Sequence, residues 1–180
     1  MRAGDVAGED EQQRGYEAAA ARYGPAIERI ARAYEADPHE RRDLVQDIHI
    51  ALWRSFTGFD GRCSVGTWTW RVAHNAAASH AGRRRRRPPA HALATLEDLE
   101  SANPGEDPEA AAGQRQVLDR LNALIQALGP PDRQVMLLYL EDLSAEEIAE
   151  VTGLSAGWVA TKIHRLKGLL ARRFHQGGAR

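Results

Sequence analysis

Between Glu146 and Leu166 the chain reads EEIAEVTGLSAGWVATKIHRL, a segment that few folds can accommodate. Apolar residues recur at helical spacing on both sides of Gly153, and glycine adopts the tight turn conformation that other residues resist. Ser144 and Glu147 form a capping-box pattern ahead of the first helix, and Ser155 stands where it caps the second. Two short helices joined at a glycine are a helix-turn-helix. Ala149 is small where the helices cross, and Leu154, Val159 and Ile163 are expected to fill the angle between them. The outer face of the second helix carries Trp158, Thr161, Lys162 and Arg165, spaced three and four apart on one stripe. A groove-reading helix needs such a basic, hydrogen-bonding stripe with no acid beside it. A solvated face on an ordinary helical bundle is the competing reading.

The rest of the chain is also helical in pattern, without a convincing alternating strand. Tyr16 to Glu35 places Tyr16, Ala19, Ala20, Tyr23, Ile27, Ile30, Ala31 and Tyr34 at helical spacing, with Gly24-Pro25 as a candidate break or kink. Asp37 is a cap, Pro38 takes the first helical position and Glu40 completes a capping box. Leu44, Val45, Ile48 and Leu52 form the apolar stripe of that second helix. Ser55 to Gly66 reads as a loop, and Thr67 to about Arg85 as a third helix ended by Pro88-Pro89. Pro88 to Gly113 is rich in proline, alanine and acids, and reads as a linker. From Gln114 four more helices follow, the last running to about His175. The expected fold is all-α. A helical unit at 16–87 and a helix-turn-helix unit at 114–175 are joined by a flexible linker at 88–113. Residues 1–15 are expected to be disordered, and 176–180 to form a tail.

The formal net charge of −1 hides a strong segregation. No acid occurs from Gly61 to Leu96, where Arg62, Arg71 and the run Arg83–Arg87 are basic, and none from Ser155 to Arg180. Two basic stretches balanced by acids elsewhere suit a protein with anionic contact surfaces. In the first stretch Trp68 and Trp70, with Phe59 just before, interleave with Arg62, Arg71, His74, Asn75, Arg83 and Arg84. Single-stranded nucleic acid is held in this way, bases on rings and phosphates on cations. The same pattern equally fits a core Trp68 with Trp70 and the arginines facing solvent. A third stripe, Asp43, Gln46, Asp47 and Ile50, is polar and acidic with an apolar edge. It reads as either a solvated face or a docking face.

Several classes are disfavoured. The single cysteine, Cys63, makes neither an internal disulfide nor a thiolate zinc site; a small buried apolar role is expected for it, with a redox sensor as the alternative. No apolar run is long enough to span a bilayer, and no signal-peptide pattern opens the chain, so a cytoplasmic protein is expected. Seven histidines come without an HExxH, a phosphate-cradling loop or a nucleophile motif. His74 and His80 lie on an arginine-rich helix, a poor place for a dication. No catalytic residue, metal or cofactor is expected.

The segments DLVQDIHIALWRSF (43–56) and TWTWRVAHNAAASHAGRRRR (67–86) resemble domain two of the extracytoplasmic-function (ECF) sigma factors of bacterial RNA polymerase, in the sigma-70 family. LNALIQALGPPDRQVMLLYLEDLSAEEIAEVTGLSAGWVATKIHRLKGLL (121–170) is similar to their domain four. The resemblance covers most of residues 16–175, in the family's order and without a domain three. It implies a promoter-recognition subunit whose partners are core RNA polymerase (its beta and beta-prime subunits), promoter DNA and, in many relatives, an anti-sigma factor, with no membrane insertion. Asp43, Gln46, Asp47 and Ile50 then match the helix that docks on polymerase. Phe59, Arg62, Trp68, Arg71, Asn75, Arg83 and Arg84 match the part that melts and holds the −10 element. Trp158, Thr161, Lys162 and Arg165 match the helix that reads the −35 duplex. Ala160 stands where many relatives carry a basic residue, and Trp158 where threonine is common. A stand-alone helix-turn-helix regulator is the alternative, but it leaves the first block without a role.

Overall fold

The computed structural model describes residues 3–85 and 108–176, and these form seven α-helices and one short 3-10 turn. The first unit holds α1 (Ala3–Tyr34), α2 (Pro38–Ser55), the turn Phe56–Gly58 and α3 (Val65–Arg85). The second holds α4 (Pro108–Gln126), α5 (Pro130–Leu140), α6 (Ala145–Thr152) and α7 (Ala156–Gln176). Among the described residues there is no strand, as the periodicity predicts.

Local signals place most of these helices. Asp37 caps α2, its Oδ1 accepting from the amides of His39 and Glu40. The expected capping box is not reciprocal, because the Asp37 amide donates to Glu35 Oε1 at 2.9 Å, leaving Glu40 free to turn toward α3. At Ser144 the box is complete: Ser144 Oγ accepts from the Glu147 amide and Glu147 Oε2 from the Ser144 amide. The hydrogen bond from the Ser144 amide holds the Glu147 carboxyl below its usual range.

Three expectations need correction. Residues 1–15 are not disordered throughout: α1 begins at Ala3, and from Gln12 onward it is fastened by tertiary contacts. Gln12 is buried and donates to the Trp53 carbonyl, Gln13 Oε1 accepts from Trp53 Nε1, and Gly15 lets the Phe56 ring close on the backbone. A Cβ at Gly15 would meet Phe56 Cδ1 at 2.8 Å. Pro25 does not end α1, which continues with Ala26, Ile27, Ile30 and Ala31 buried against α2 and α3; their burial offsets the missing amide. The expected linker also loses its last six positions, since α4 starts at Pro108, a residue suited to a first helical turn. Residues 88–107 of that linker, and 177–180 of the tail, lie outside the described residues.

The core of the first unit is the α2 stripe Leu44, Ile48 and Leu52 packed on α1 and on Trp70, Ala73 and Ala77 of α3. Ile48 is fully buried, and its truncation to alanine would cost about 2–5 kcal/mol. His74 is fully enclosed as well. Burial pushes its pKa down to about 3, so it is neutral, with Nδ1 3.4 Å from the Tyr34 hydroxyl.

The two units pack on each other. Ala33 of α1 meets Ile125 of α4 and Leu137 of α5, while Val135, Leu138, Ile148, Val151 and Val159 join the same apolar cluster as Ile27 and Ile30. Arg133 is buried, caps the end of α4 through the Gln126 and Leu128 carbonyls, and lays its guanidinium over the Tyr34 ring at 4.9 Å. At the rim, Arg29 of α1 grips Glu141 in a bidentate pair, both contacts at 2.5 Å. Gln126 donates to the Arg32 carbonyl at 2.8 Å.

Candidate nucleic-acid interface

The helix-turn-helix forms as its sequence demands. Gly153 ends α6 at φ +76°, a left-handed conformation that favours glycine, and Ser155 Oγ accepts from the Trp158 amide at 3.3 Å. Val159 is fully buried between the helices and Ile163 is half-buried. Leu154 does not fill the angle as expected: it is 36% exposed, because the turn directs it outward.

The stripe on α7 is present. Trp158, Thr161 and Arg165 are exposed. Lys162 is not free: its Nζ lies 2.7 Å from Asp132 Oδ1 of α5 and 4.7 Å above the Trp158 ring. The Thr161 hydroxyl donates back to the Gly157 carbonyl at 2.9 Å. Asp132, Lys162, His164, Arg165, Gly168 and Arg172 together line a shallow depression beside this stripe.

In the loop and α3 the aromatic side chains are mostly structural. Phe59 is edge-on to both Phe56 and Trp68, with centroids at 5.7 and 5.4 Å, and Trp68 Nε1 donates to Ser55 Oγ at 2.9 Å. Trp70 is buried against Tyr23 rather than facing solvent. Stacking on these rings would require the aromatic cluster to open. Arg62 is exposed and pairs with Asp60 within the loop; the Arg62 amide first, and then its guanidinium, lower the Asp60 pKa. Cys63 is only half-buried and free, so the expected buried role is not realised. Asn75 is exposed on α3, one position beyond the buried His74. Arg71 is also exposed, but it donates to the Glu150 carbonyl of α6 at 2.7 Å. Of Arg84 only the backbone is described, within α3.

On α2, Asp43, Gln46 and Ile50 point outward, and Trp53 extends the same face by one turn; Ile50 is 40% and Trp53 43% exposed. Asp47 is turned aside. Its Oδ2 takes Arg83 of α3 at 2.6 Å and lies 3.3 Å from His80 Nδ1, while Glu40 Oε2 approaches His80 Nε2 at 3.9 Å. Sequence spacing put Asp47 on the α2 stripe but could not show its α3 partners. Asp132 and Glu150 lie inside the quoted motifs but were missed as site residues, since both act through contacts distant in sequence. Among the described residues no cluster of histidine, cysteine or carboxylate could hold a metal ion, and no helix is long and apolar enough to cross a membrane.

A helical unit with a basic, arginine-bearing helix, followed by a helix-turn-helix whose outer stripe is exposed, defines an all-α DNA-binding protein of transcription. Residues 19–87 match the family model of Sigma-70 region 2, and residues 118–170 that of Sigma-70, region 4. The chain is 32% identical to the RNA polymerase sigma-H factor of Pseudomonas aeruginosa, over 73% of this chain and 71% of that protein. It is 30% identical to the ECF RNA polymerase sigma-E factor of Haemophilus influenzae, over 73% and 72%. It is 29% identical to the RNA polymerase sigma factor CnrH of Cupriavidus metallidurans, over 88% and 86%. The solved structure of CnrH in complex with the cytosolic domain of CnrY shares the fold, with a TM-score of 0.67 at 23% identity over 95% of this chain and 94% of that one. The chain belongs to the ECF group of the sigma-70 family.

Proposed function

We propose that this chain binds core RNA polymerase and directs it to promoters, with α2 docking on the enzyme, α3 and the preceding loop opening the −10 element, and α7 reading the −35 duplex. The observation that carries this reading is the pairing, in one chain, of an outward α2 face with the exposed Trp158, Thr161 and Arg165 on α7. Asp43, Gln46 and Ile50 are the docking residues, with Trp53 added to them; Asp47 supports the face from behind through Arg83. The polymerase partners are its beta and beta-prime subunits. Chemistry belongs to the polymerase; this chain binds and positions, without a catalytic residue or cofactor, in the cytoplasm. A protein inhibitor is part of the reading, since the related CnrH was solved in complex with the cytosolic domain of CnrY.

On α3, Asn75 offers both a donor and an acceptor to an extruded base, and Arg83 and Arg84 continue toward the duplex upstream. Phe59 and Trp68 build the wall of the loop, and Arg62 and Arg71 supply positive charge. In vitro transcription with core polymerase on a promoter library tests the reading. Promoter-selective transcripts that depend on this chain are expected, and transcripts indifferent to it would overturn the proposal. Asn75→Ala is expected to slow promoter opening, read by permanganate reactivity of unpaired thymines, while binding to core polymerase persists. A premelted template is expected to restore activity to that variant.

A further inference from the structure

A recognition helix touches base edges with its N-terminal residues. In this chain those residues have little left with which to form hydrogen bonds. Ala156, Gly157 and Ala160 carry no polar side-chain atom. Ser155 Oγ is engaged by the Trp158 amide, and the Thr161 proton is given to the Gly157 carbonyl, so Thr161 offers outward only a lone pair and a methyl group. Lys162, the first cation of the helix, is held by Asp132 at 2.7 Å. What projects instead is the indole of Trp158, 42% exposed and held in place by the Lys162 ammonium at 4.7 Å from its centroid.

The apolar carbon face of an indole at this position has one distinctive partner in the major groove. Thymine alone carries a C5 methyl group, and apolar side chains read it by contact. The single donor of the indole, Nε1–H, lies at one edge of the ring, so a guanine or adenine edge set against the carbon face would lose water from its acceptors and gain no donor in return, which is unfavourable. Immobilising the ring beforehand lowers the entropy lost on contact. We infer that Trp158 is a specificity-determining residue that selects thymine through its methyl group. Hydrogen-bonded base reading is left to Arg165, two turns further along α7, which is exposed. Asp132 has a part in this: by neutralising Lys162 it removes a cation that would otherwise attract guanine O6 and N7. This inference rests on α7 being the −35-reading helix.

The test uses the full chain assembled with bacterial core polymerase and a duplex library randomised across the −35 region. Wild type is expected to enrich sequences with thymine at one or two fixed positions. Replacing that thymine by deoxyuridine removes only the methyl group, and is expected to weaken binding about fourfold, the worth of one methyl taken out of water. This arm needs no variant protein. Trp158→Ala is expected to bind thymine and deoxyuridine duplexes equally, while Trp158→Phe keeps the difference and Arg165→Ala loses preference at another base pair. Circular dichroism should show the same helicity for all three. Enriched sites whose thymines tolerate deoxyuridine, or a methyl dependence that survives in Trp158→Ala, would overturn the inference alone. Failure to enrich any duplex sequence would overturn the reading of α7 itself, and this inference with it.

Discussion

The Arg71 guanidinium of α3 donates a 2.7 Å hydrogen bond to the backbone carbonyl of Glu150 on α6. Beside it, Thr67 Oγ1 lies 3.4 Å from Glu150 Oε2. A side chain proposed to follow nucleic-acid phosphates is thus already holding an oxygen of the helix-turn-helix unit. At the opposite rim Arg29 and Glu141 form their bidentate pair, which raises the Arg29 pKa chiefly through the hydrogen bond.

The Arg29–Glu141 pair is expected to couple the units modestly. Arg29 is 58% exposed, so most of its attraction is screened by solvent. In a double-mutant cycle of Arg29→Ala and Glu141→Ala, the coupling in urea unfolding should be about 0.5–1 kcal/mol at low salt and should fade in molar salt. Full coupling retained in molar salt would show that the pair is not acting as an ion pair.

Asp47 and Asp43 are expected to separate. Asp47→Asn weakens the contacts to Arg83 and His80, and should cost about 0.5–1 kcal/mol of stability. Asp43→Asn, on the exposed face, should leave unfolding unchanged and lower affinity for core polymerase. Thermal melts together with a polymerase pull-down separate these effects; equal stability in both variants would remove the supporting role of Asp47.

Acid is expected to destabilise the chain through His74. Below about pH 6.5 the unfolded chain takes up a proton that the folded chain refuses until about pH 3. Its contribution is therefore intact above pH 6.5 and declines as pH falls through that window, by about 2 kcal/mol at pH 5. Urea midpoints measured from pH 7 to pH 4.5 should fall more steeply for wild type than for His74→Leu, which has no proton to gain.

Lys162 is expected to contribute less than a full unit to the salt dependence of duplex binding, because Asp132 already neutralises it. Asp132→Asn frees the ammonium, and should steepen the plot of log affinity against log salt by about one unit. An unchanged slope in Asp132→Asn would show that Lys162 does not face phosphate.

The local signals were legible in the sequence and the long-range ones were not. The Asp37 and Ser144 caps, the Gly153 turn and the exposed Trp158, Thr161 and Arg165 depend on neighbours within about one helical turn. The engagements of Arg71 with Glu150 and of Arg29 with Glu141 join residues far apart in sequence. Periodicity names a face but not what covers it. Residues 10–15 illustrate the limit. Gln12 stands one turn before Tyr16 on the stripe that continues through Ala19 and Tyr23, yet it fell in the stretch expected to be disordered; it is buried, with the Trp53 carbonyl accepting from its side-chain amide. Trp68 was read both as a base platform and as core, and its edge-on contact with Phe59 favours the latter.

The closed packing of the two units also sets a length. The −10 and −35 elements are named for positions 25 base pairs apart, about 85 Å along a duplex at about 3.4 Å per pair. A folded chain of 180 residues has a radius of gyration of about 16 Å. Measured against that ruler, the molecule with Arg71 on Glu150 is too short to touch both elements at once. Parting of the units would be needed for one molecule to reach both elements; 22 residues lie between Arg85 and Pro108, a contour of at most about 75 Å. The contacts among Arg29, Arg71, Glu141 and Glu150 therefore separate a molecule that can meet one element from a molecule that can measure the distance between two.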